Sequence, residues 1–176
     1  MSTAPRYVPH YTIDDYRRWE GDWELIDGVP VSMSPSPLGP HERIVAELSR
    51  QMLNQLIENE CDCRVYTNLD WIVSDDTVVR PDLMVVCGIQ PDRHLERPPA
   101  VVVEVLSAAT RQRDLTAKRA IYLERDVTRY LIVDPDDQTV RVVMKHGEQS
   151  FGAGESMVFD VDAGCRVEIQ CGRLFA

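Results

Sequence analysis

Residues 101–106 read Val-Val-Val-Glu-Val-Leu, an almost unbroken apolar run interrupted by a single acid, Glu104. A run of β-branched residues of this kind predicts a strand that is buried on both faces of a sheet. A carboxylate in such a strand is costly unless it is paired or bound to a metal. The structural alternative is a partly exposed strand end whose glutamate forms a salt bridge. The run therefore predicts a central sheet and makes Glu104 a candidate functional residue.

A second apolar run, at residues 83–87, follows Arg80-Pro81-Asp82. Proline has no N–H to donate and suits the start of a strand. If the two strands pair antiparallel, the start of one lies beside the end of the other, and Asp82 meets Glu104. Adjacent carboxylates repel each other unless a divalent cation or a shared proton lies between them. Taken alone, Asp82 is also explained as a strand-start residue that bonds the backbone.

Lys118 is the third candidate. A helix predicted from about Arg111 to Arg125 follows the Glu104 strand after a short turn, so its first turns can reach back over the strand end. Asp114 and Tyr122 lie four residues before and after Lys118 and share its side of the helix. The structural alternative is an exposed Asp114–Lys118 pair, which contributes only ~0.3–0.5 kcal/mol.

The remaining chain predicts an α/β (α+β-like) domain with a mixed central β-sheet flanked by helices, an N-terminal hairpin and a C-terminal β meander. Asp27-Gly28 between short apolar runs indicates a type I′ hairpin turn. A proline-rich connector spans 34–40, and a long polar loop spans 88–99. The other predicted helices cover about 12–19 and 41–59; the other strands cover 23–26, 29–33, 64–67, 69–73, 129–133 and 139–144, with two or three short strands after them.

Length and charge limit the function classes. The chain has 176 residues, 44% of them hydrophobic, which predicts one globular domain over 1–176 with its core at about 11–170. The net charge of −10 argues against a protein that coats nucleic acid through a broad basic face. It leaves open a nuclease with a small basic patch.

Cysteine usage and apolar runs suggest a compartment. There are five cysteines, and the closest pair, Cys61-x-Cys63, lacks the spacing and the second cluster of a zinc site. Cys87 lies in an apolar run and is expected to be a small core residue. No run reaches the ~18 apolar residues of a membrane span, and the N-terminus has no apolar signal core. We therefore expect reduced cysteines, a cytoplasmic location and no membrane partner.

Several short motifs, taken in order, resemble one known family. The sequence from about Tyr11 to the C-terminus resembles the Uma2 (DUF820) family of the PD-(D/E)xK, restriction-endonuclease-like superfamily. The motifs are Arg80-Pro81-Asp82-Leu83, residues 103–107, Arg113-Asp114-Leu115 with Lys118 and Tyr122, Val133-Asp134-Pro135, residues 23–28, and residues 34–37 with His41. Each motif is short, and the specificity lies in their order and spacing.

The resemblance implies a restriction-endonuclease-like core and a metal-dependent endonuclease that hydrolyses DNA phosphodiester bonds, expected as a homodimer because duplex cleavage needs two active sites. Asp82, Glu104 and the backbone carbonyl of Val105 would bind Mg²⁺ (or Mn²⁺). Lys118 would position the attacking water or stabilise developing charge. The superfamily pattern has a lysine two residues after the second acid, and this position holds Leu106 here. The resemblance therefore makes Lys118, on the following helix, the candidate for the role of that lysine.

Four further residues have two interpretations each. His41 faces inward at a helix start and is either a secondary site residue or a satisfied, semi-buried histidine. Glu24 either borders the same cleft or serves the hairpin. Arg111 and Arg113 either contact DNA phosphates as a local patch or belong to a solvated helix with acidic partners.

Two other function classes compete with the nuclease. A nuclease fold that has lost activity could bind nucleic acid or protein, and Mg²⁺ or Mn²⁺ binding by thermal shift would separate it from an enzyme. A glycosidase with two carboxylates fits poorly, because 7% aromatic residues provide no sugar platform.

Overall fold

The computed structural model describes residues 9–33, 39–162 and 164–176. Its helices are α1 (Ile13–Tyr16), α2 (Gly39–Glu58), α3 (Arg111–Arg113), a π-helical segment (Asp114–Lys118), α4 (Arg119–Glu124) and α5 (Cys171–Phe175). Its strands are β1 (Trp23–Ile26), β2 (Val29–Ser32), β3 (Cys63–Thr67), β4 (Trp71–Ser74), β5 (Thr77–Val79), β6 (Leu83–Cys87), β7 (Val101–Val105), β8 (Arg129–Asp134), β9 (Thr139–Met144), β10 (Gly147–Gly152), β11 (Ser156–Asp162) and β12 (Cys165–Gln170).

The predicted mixed central sheet is confirmed. Six strands lie in the order β10-β9-β8-β7-β6-β3, and β7 pairs antiparallel with β6 and parallel with β8. Every residue of β7 is buried, as its apolar run predicts. Val101, Val103 and Val105 face α2 and the C-terminal elements, whereas Val102 packs on the other face beside Tyr122. Because side chains alternate along a strand, Glu104 shares the Val102 face.

The N-terminal hairpin is confirmed, and it belongs to a second sheet. β1 and β2 meet at Ile26↔Val29, and Asp27 and Gly28 have φ of 49° and 75°, as a type I′ turn requires. The sheet order is β2-β1-β5-β4. The three-residue β5 was not predicted as a separate strand, because it is shorter than an alternating pattern can reveal. The two sheets are linked by the chain between β5 and β6.

The C-terminal meander is confirmed for β8, β9 and β10 only. β11 and β12 instead form a separate hairpin that packs on α2. They alternate strictly between buried and exposed residues, so one face completes the core. The helix α2 begins at Gly39 and buries an apolar stripe of Ile44, Val45, Leu48, Met52 and Leu56. Of the predicted connector at 34–40, residues 34–38 lie outside the described part of the chain.

The expectation of reduced cysteines is wrong. Disulfides join Cys61 to Cys165 and Cys63 to Cys87, and Cys171 is free and buried. Cys87 is therefore a bonded residue rather than a small core residue. Cys63 and Cys87 are directly opposite each other on β3 and β6, a register that cysteine spacing does not reveal. The cytoplasmic location stays a prediction, without the support of reduced cysteines.

None of the helices in the described ranges is long and apolar enough to cross a membrane.

Candidate active site

Asp82 and Glu104 come together as the two apolar runs predict. β6 and β7 pair antiparallel with Leu83 opposite Val103, so one further step places Asp82 opposite Glu104. Asp82 Oδ2 accepts a hydrogen bond of 2.7 Å from the Val105 N–H, which ties the two strands together. His41 Nε2 lies 3.1 Å from the same oxygen. The Asp82 side chain remains 21% exposed, so it can be reached from solvent.

Glu104 is buried, and the helical residues that follow β7 hold it. Lys118 Nζ lies 2.9 Å from Glu104 Oε1, and the Tyr122 hydroxyl donates a 2.6 Å hydrogen bond to the same oxygen. Burial raises the pKa of Glu104 well above its usual range, although the Lys118 charge opposes that rise. Lys118 therefore stabilises the ionised form of Glu104.

Glu24 is a central member of the site rather than a residue of the hairpin alone. It is fully buried, with Oε1 at 2.8 Å from Lys118 Nζ. The same oxygen accepts a 2.9 Å hydrogen bond from the Arg80 N–H, and Oε2 lies 3.3 Å from Arg113 Nε. Its position inside an apolar strand is the sequence feature that marks Glu24 as unusual. Its partners could not be predicted, because they come from parts of the chain that are distant in sequence. His41 is semi-buried and its Nε2 contacts the site residue Asp82, whereas its Nδ1 has no hydrogen-bond partner among the described residues.

Asp114 is a further buried acid, which the sequence analysis considered as the partner of Lys118 in the alternative of an exposed helix pair. It lies 3.8 Å from Lys118 Nζ, and both residues are buried, so the interpretation as an exposed helix pair is wrong. Neither carboxylate oxygen of Asp114 has a hydrogen-bond partner among the described residues. Burial raises the pKa of Asp114 above its usual value, and Lys118 opposes this rise.

The π-helical segment brings Asp114 and Lys118 to the site together. Its wider turn replaces the regular α-helix that the sequence predicts for this stretch. The Tyr130 hydroxyl donates a 2.9 Å hydrogen bond to the Asp114 carbonyl oxygen and so supports the irregular backbone. Burial would lower the pKa of Lys118, but Glu104, Glu24 and Asp114 together raise it above the ordinary value. Segments of this kind occur frequently at functional sites.

The two predicted phosphate-binding arginines already have acidic partners. Arg111 contacts the two carboxylate oxygens of Asp134 at 3.2 and 2.5 Å, and Arg113 pairs with Glu24. Burial raises the pKa of Asp134, but its hydrogen bonds to Arg111 and to backbone N–H groups lower it below the usual value. Asp134 is buried at the end of β8. Phosphate binding by Arg111 and Arg113 stays a prediction.

The cluster holds more acids than bases, an excess that protons or a bound cation would balance. We call Glu24, Asp82, Glu104, Asp114 and Lys118 the carboxylate cluster; with Arg113 it holds four acids against two fixed positive charges. Over the described ranges, no three His, Cys, Asp or Glu side chains converge as a metal-binding group. A metal at Asp82 and Glu104 would therefore need backbone or water ligands as well, a set that suits Mg²⁺, which usually keeps several waters.

Comparisons with known proteins agree with this fold. The model of the Uma2 family, described as "Putative restriction endonuclease", matches residues 13–168. A crystal structure from Anabaena variabilis, described as "a putative nuclease belonging to DUF820", superposes with a TM-score of 0.76 at 20% sequence identity. The superposition covers 93% of this chain and 97% of that one, and the predicted fold class is confirmed. The comparison with curated proteins gives no match.

Proposed function

Because this chain belongs to the Uma2 family, we propose that it is a metal-dependent endonuclease that hydrolyses DNA phosphodiester bonds. The observation that carries the proposal is the meeting of Asp82 and Glu104 at one end of β6 and β7, with Lys118 in contact with Glu104. Two acids beside a buried lysine form an arrangement suited to a metal ion and a phosphodiester.

We propose that Asp82, Glu104 and the Val105 carbonyl hold Mg²⁺ or Mn²⁺. The contacts found within the described residues reach only Oδ2 of Asp82 and Oε1 of Glu104, so the second oxygen of each acid is available. The N–H and C=O of a strand residue point to the same edge, and the Val105 N–H points to Asp82. A bound metal would activate a water and neutralise phosphate charge.

Lys118 has a more specific role in this proposal than water positioning. Its ammonium group contacts Glu104 at 2.9 Å and Glu24 at 2.8 Å and opposes the rise that burial causes in the pKa of Glu104, so it favours the ionised form that would bind a metal. The Tyr122 hydroxyl orients the Glu104 carboxylate, and the Val105 N–H with His41 fixes Asp82. Both acids are thus held in place before a ligand arrives, which reduces the reorganisation needed for catalysis.

One observation favours a second candidate function, a nuclease fold that binds nucleic acid or protein without cutting. The buried acids already have internal partners in Lys118, Arg113 and Tyr122, and in the described part of the chain no three metal-binding side chains converge. Such a protein would bind its partner equally well with and without a divalent metal.

A nuclease assay tests both candidates. Plasmid DNA, linear duplex DNA and RNA are each incubated with Mg²⁺, with Mn²⁺ or with a chelator. We expect metal-dependent DNA cleavage that Asp82→Asn and Glu104→Gln each reduce at least about 100-fold, since a bound metal contributes several kcal/mol. The matched control is Asp92→Asn, which changes an exposed acid of the 88–99 loop. Binding without cleavage under every condition would favour the second candidate.

We also propose that the active form is a homodimer, because cutting both strands of a duplex requires two active sites. The chain mass is 20.1 kDa, so sedimentation or light scattering should give twice that value. A monomer that cuts both strands at the same position in one binding event would contradict this proposal.

A further inference from the structure

A cavity of about 250 Å³ lies beside the carboxylate cluster, between α1, β1, β4 and the loop that precedes Leu95. One wall consists of aromatic rings and the other of polar side chains. We call this cavity the aromatic pocket. The residues that line it include Tyr16, Trp19, Trp23, Asp70, Arg80 and His94. Neither proposed function above uses it.

The aromatic wall is rigid. The Trp19 ring centroid lies 5.6 Å from that of Tyr16 and 5.9 Å from that of Trp23, with the rings steeply inclined to each other. The Trp23 indole N–H donates a 2.8 Å hydrogen bond to the Glu20 carbonyl. The Tyr16 hydroxyl lies 3.1 Å from the Trp23 carbonyl oxygen. Neither tryptophan is buried, so flat ring surface remains accessible to a ligand.

The polar wall is a hydrogen-bonded network, in which the Tyr16 hydroxyl donates to Asp70 at 3.0 Å and Arg80 Nη1 donates to Asp22 at 2.7 Å. Asp70 is buried and accepts a 2.6 Å hydrogen bond from Arg80 Nε, which balances its charge. His94 Nδ1 lies 3.6 Å from Asp70, and the His94 side chain is 45% exposed. A flat apolar wall with donors and acceptors at its edge is the arrangement that recognises an unpaired nucleobase.

Arg80 connects the pocket to the carboxylate cluster. Its backbone N–H donates to Glu24, and its carbonyl oxygen lies 3.5 Å from Lys118 Nζ, whereas its guanidinium group lines the pocket. The register Leu25↔Val78 places Trp23 opposite Arg80, so both belong to the pocket side of the second sheet. A ligand in the pocket therefore contacts the residue that supports Glu24 and Lys118.

We propose that the aromatic pocket binds one unstacked base of a single-stranded stretch of the nucleic-acid substrate, next to the phosphodiester that the carboxylate cluster would cut. This inference rests on the proposed nuclease function and adds a subsite to it. Stacking on Trp19 provides affinity without sequence preference, and the edge formed by Asp70, Arg80 and His94 provides hydrogen bonds. Arg17, an exposed residue at the pocket rim that pairs with Asp14 at 3.2 Å, would exchange that partner for the adjoining phosphate.

Intrinsic fluorescence tests the pocket without requiring catalysis. Two of the three tryptophans line the pocket, and the third, Trp71, is buried elsewhere. The full chain is titrated in chelator with a single-stranded oligothymidylate and with an abasic oligonucleotide of the same length. We expect quenching and binding by the first, and binding at least roughly 10-fold weaker by the second. Equal binding of the two would overturn the proposal, because only phosphates would then be recognised.

Two variants and one control localise the effect. Trp19→Leu should weaken oligothymidylate binding roughly 10-fold, whereas Phe151→Leu, a partly buried aromatic on β10, should leave it unchanged. His94→Gln changes an exposed side chain and keeps the test valid if Trp19→Leu does not fold; it should weaken binding at least threefold. If the folded variants bind like the parent chain, the pocket is not the base site.

The outcomes separate this inference from the nuclease proposal. Metal-dependent cleavage with unchanged oligothymidylate binding in both variants would overturn the base site and leave the nuclease intact. Absence of cleavage with variant-sensitive binding would overturn the nuclease and retain the base site. Quenching by an oligosaccharide, with none by oligothymidylate, would overturn the base site in favour of sugar recognition.

Discussion

Two polar networks lie on opposite sides of the molecule, and they satisfy their buried groups in different ways. The carboxylate cluster gathers charged groups and leaves the Asp114 oxygens without hydrogen-bond partners among the described residues. The second network, which we call the amide ladder, joins α2 to β12 through Gln51, Gln55 and Asn59. It consists of amide side chains and backbone groups, with one further hydrogen bond from Gln51 to Glu47, and the bonds of Gln51 and Gln55 are reciprocal.

The amide ladder follows from helix and strand geometry. The three amide side chains are four residues apart on α2, a spacing of about 6 Å along a helix. Alternate residues of β12 are about 6.7 Å apart along the strand, so the two spacings nearly match. Gln51 Oε1 accepts from the Gln170 N–H at 2.8 Å, and its Nε2 donates to the Gln170 carbonyl at 3.3 Å. Gln55 pairs with Glu168 in the same way. The ladder thereby covers a strand edge that would otherwise be open to pairing with other chains.

The difference between the networks separates a structural role from a functional one. Buried polar groups in proteins are normally paired, and the ladder follows this rule. The carboxylate cluster departs from it by holding more acids than bases in a buried position, which costs stability. A stability cost at one place, in a fold that satisfies polar groups elsewhere, is expected of a binding or catalytic site.

The largest effect should come from removing the counter-charge of the cluster. Lys118→Met leaves Glu24, Glu104 and Asp114 buried without their ammonium partner. We expect the free energy of unfolding, measured in urea, to fall by about 3–5 kcal/mol. The matched control is Lys145→Met, which removes an exposed ion pair with Asp126 and should cost at most about 1 kcal/mol. Equal losses in the two variants would contradict the account.

A smaller effect should follow from breaking the ladder. Gln51→Ala leaves the N–H and C=O of Gln170 without their partners, so the free energy of unfolding should fall by about 1–3 kcal/mol. DNA cleavage per folded molecule should be unchanged. Gln51 also donates to Glu47, whose pKa the hydrogen bonds from Arg50 lower below its usual value, so Glu47 is ionised at both pH 6 and pH 8 and the loss should be the same at both. The control is Asn54→Ala, which changes an exposed position of the same helix. If Gln51→Ala changed the cleavage rate per folded molecule, the amide ladder would not be purely structural.

The smallest effect on stability should come from one hydroxyl. Tyr122→Phe removes the donor to Glu104 Oε1 and should cost about 0.5–1.5 kcal/mol, because the same oxygen keeps Lys118 as a partner. It should also weaken Mn²⁺ binding roughly 10-fold or more, since residues that orient metal ligands have effects of that size. Tyr66→Phe, on β3, removes a half-buried hydroxyl that bonds the Gln90 side chain and touches no member of the carboxylate cluster. It should leave Mn²⁺ affinity unchanged, and equal effects on Mn²⁺ binding would show that Tyr122 acts on packing alone.

The sequence predicts the part of the site that lies on neighbouring strands. Two apolar runs, each with an acid near one end, suffice to predict that Asp82 meets Glu104. Antiparallel pairing places the start of one strand beside the end of the other, and opposite residues share one face of the sheet. Glu24 and Asp114 escape that reasoning, since their roles depend on how the second sheet and the π-helical segment pack on the central sheet. The Cys63–Cys87 disulfide likewise depends on the register of β3 and β6.

Calorimetric titration of the metal-free chain with Mn²⁺ tests the central claim most directly, because it measures the site without requiring a substrate. The account predicts a single Mn²⁺ per chain, lost or weakened at least about 100-fold in Asp82→Asn and in Glu104→Gln, and retained in Asp92→Asn. Unchanged Mn²⁺ binding in both site variants, or no binding by the parent chain, would contradict the claim that Asp82 and Glu104 share a metal ion.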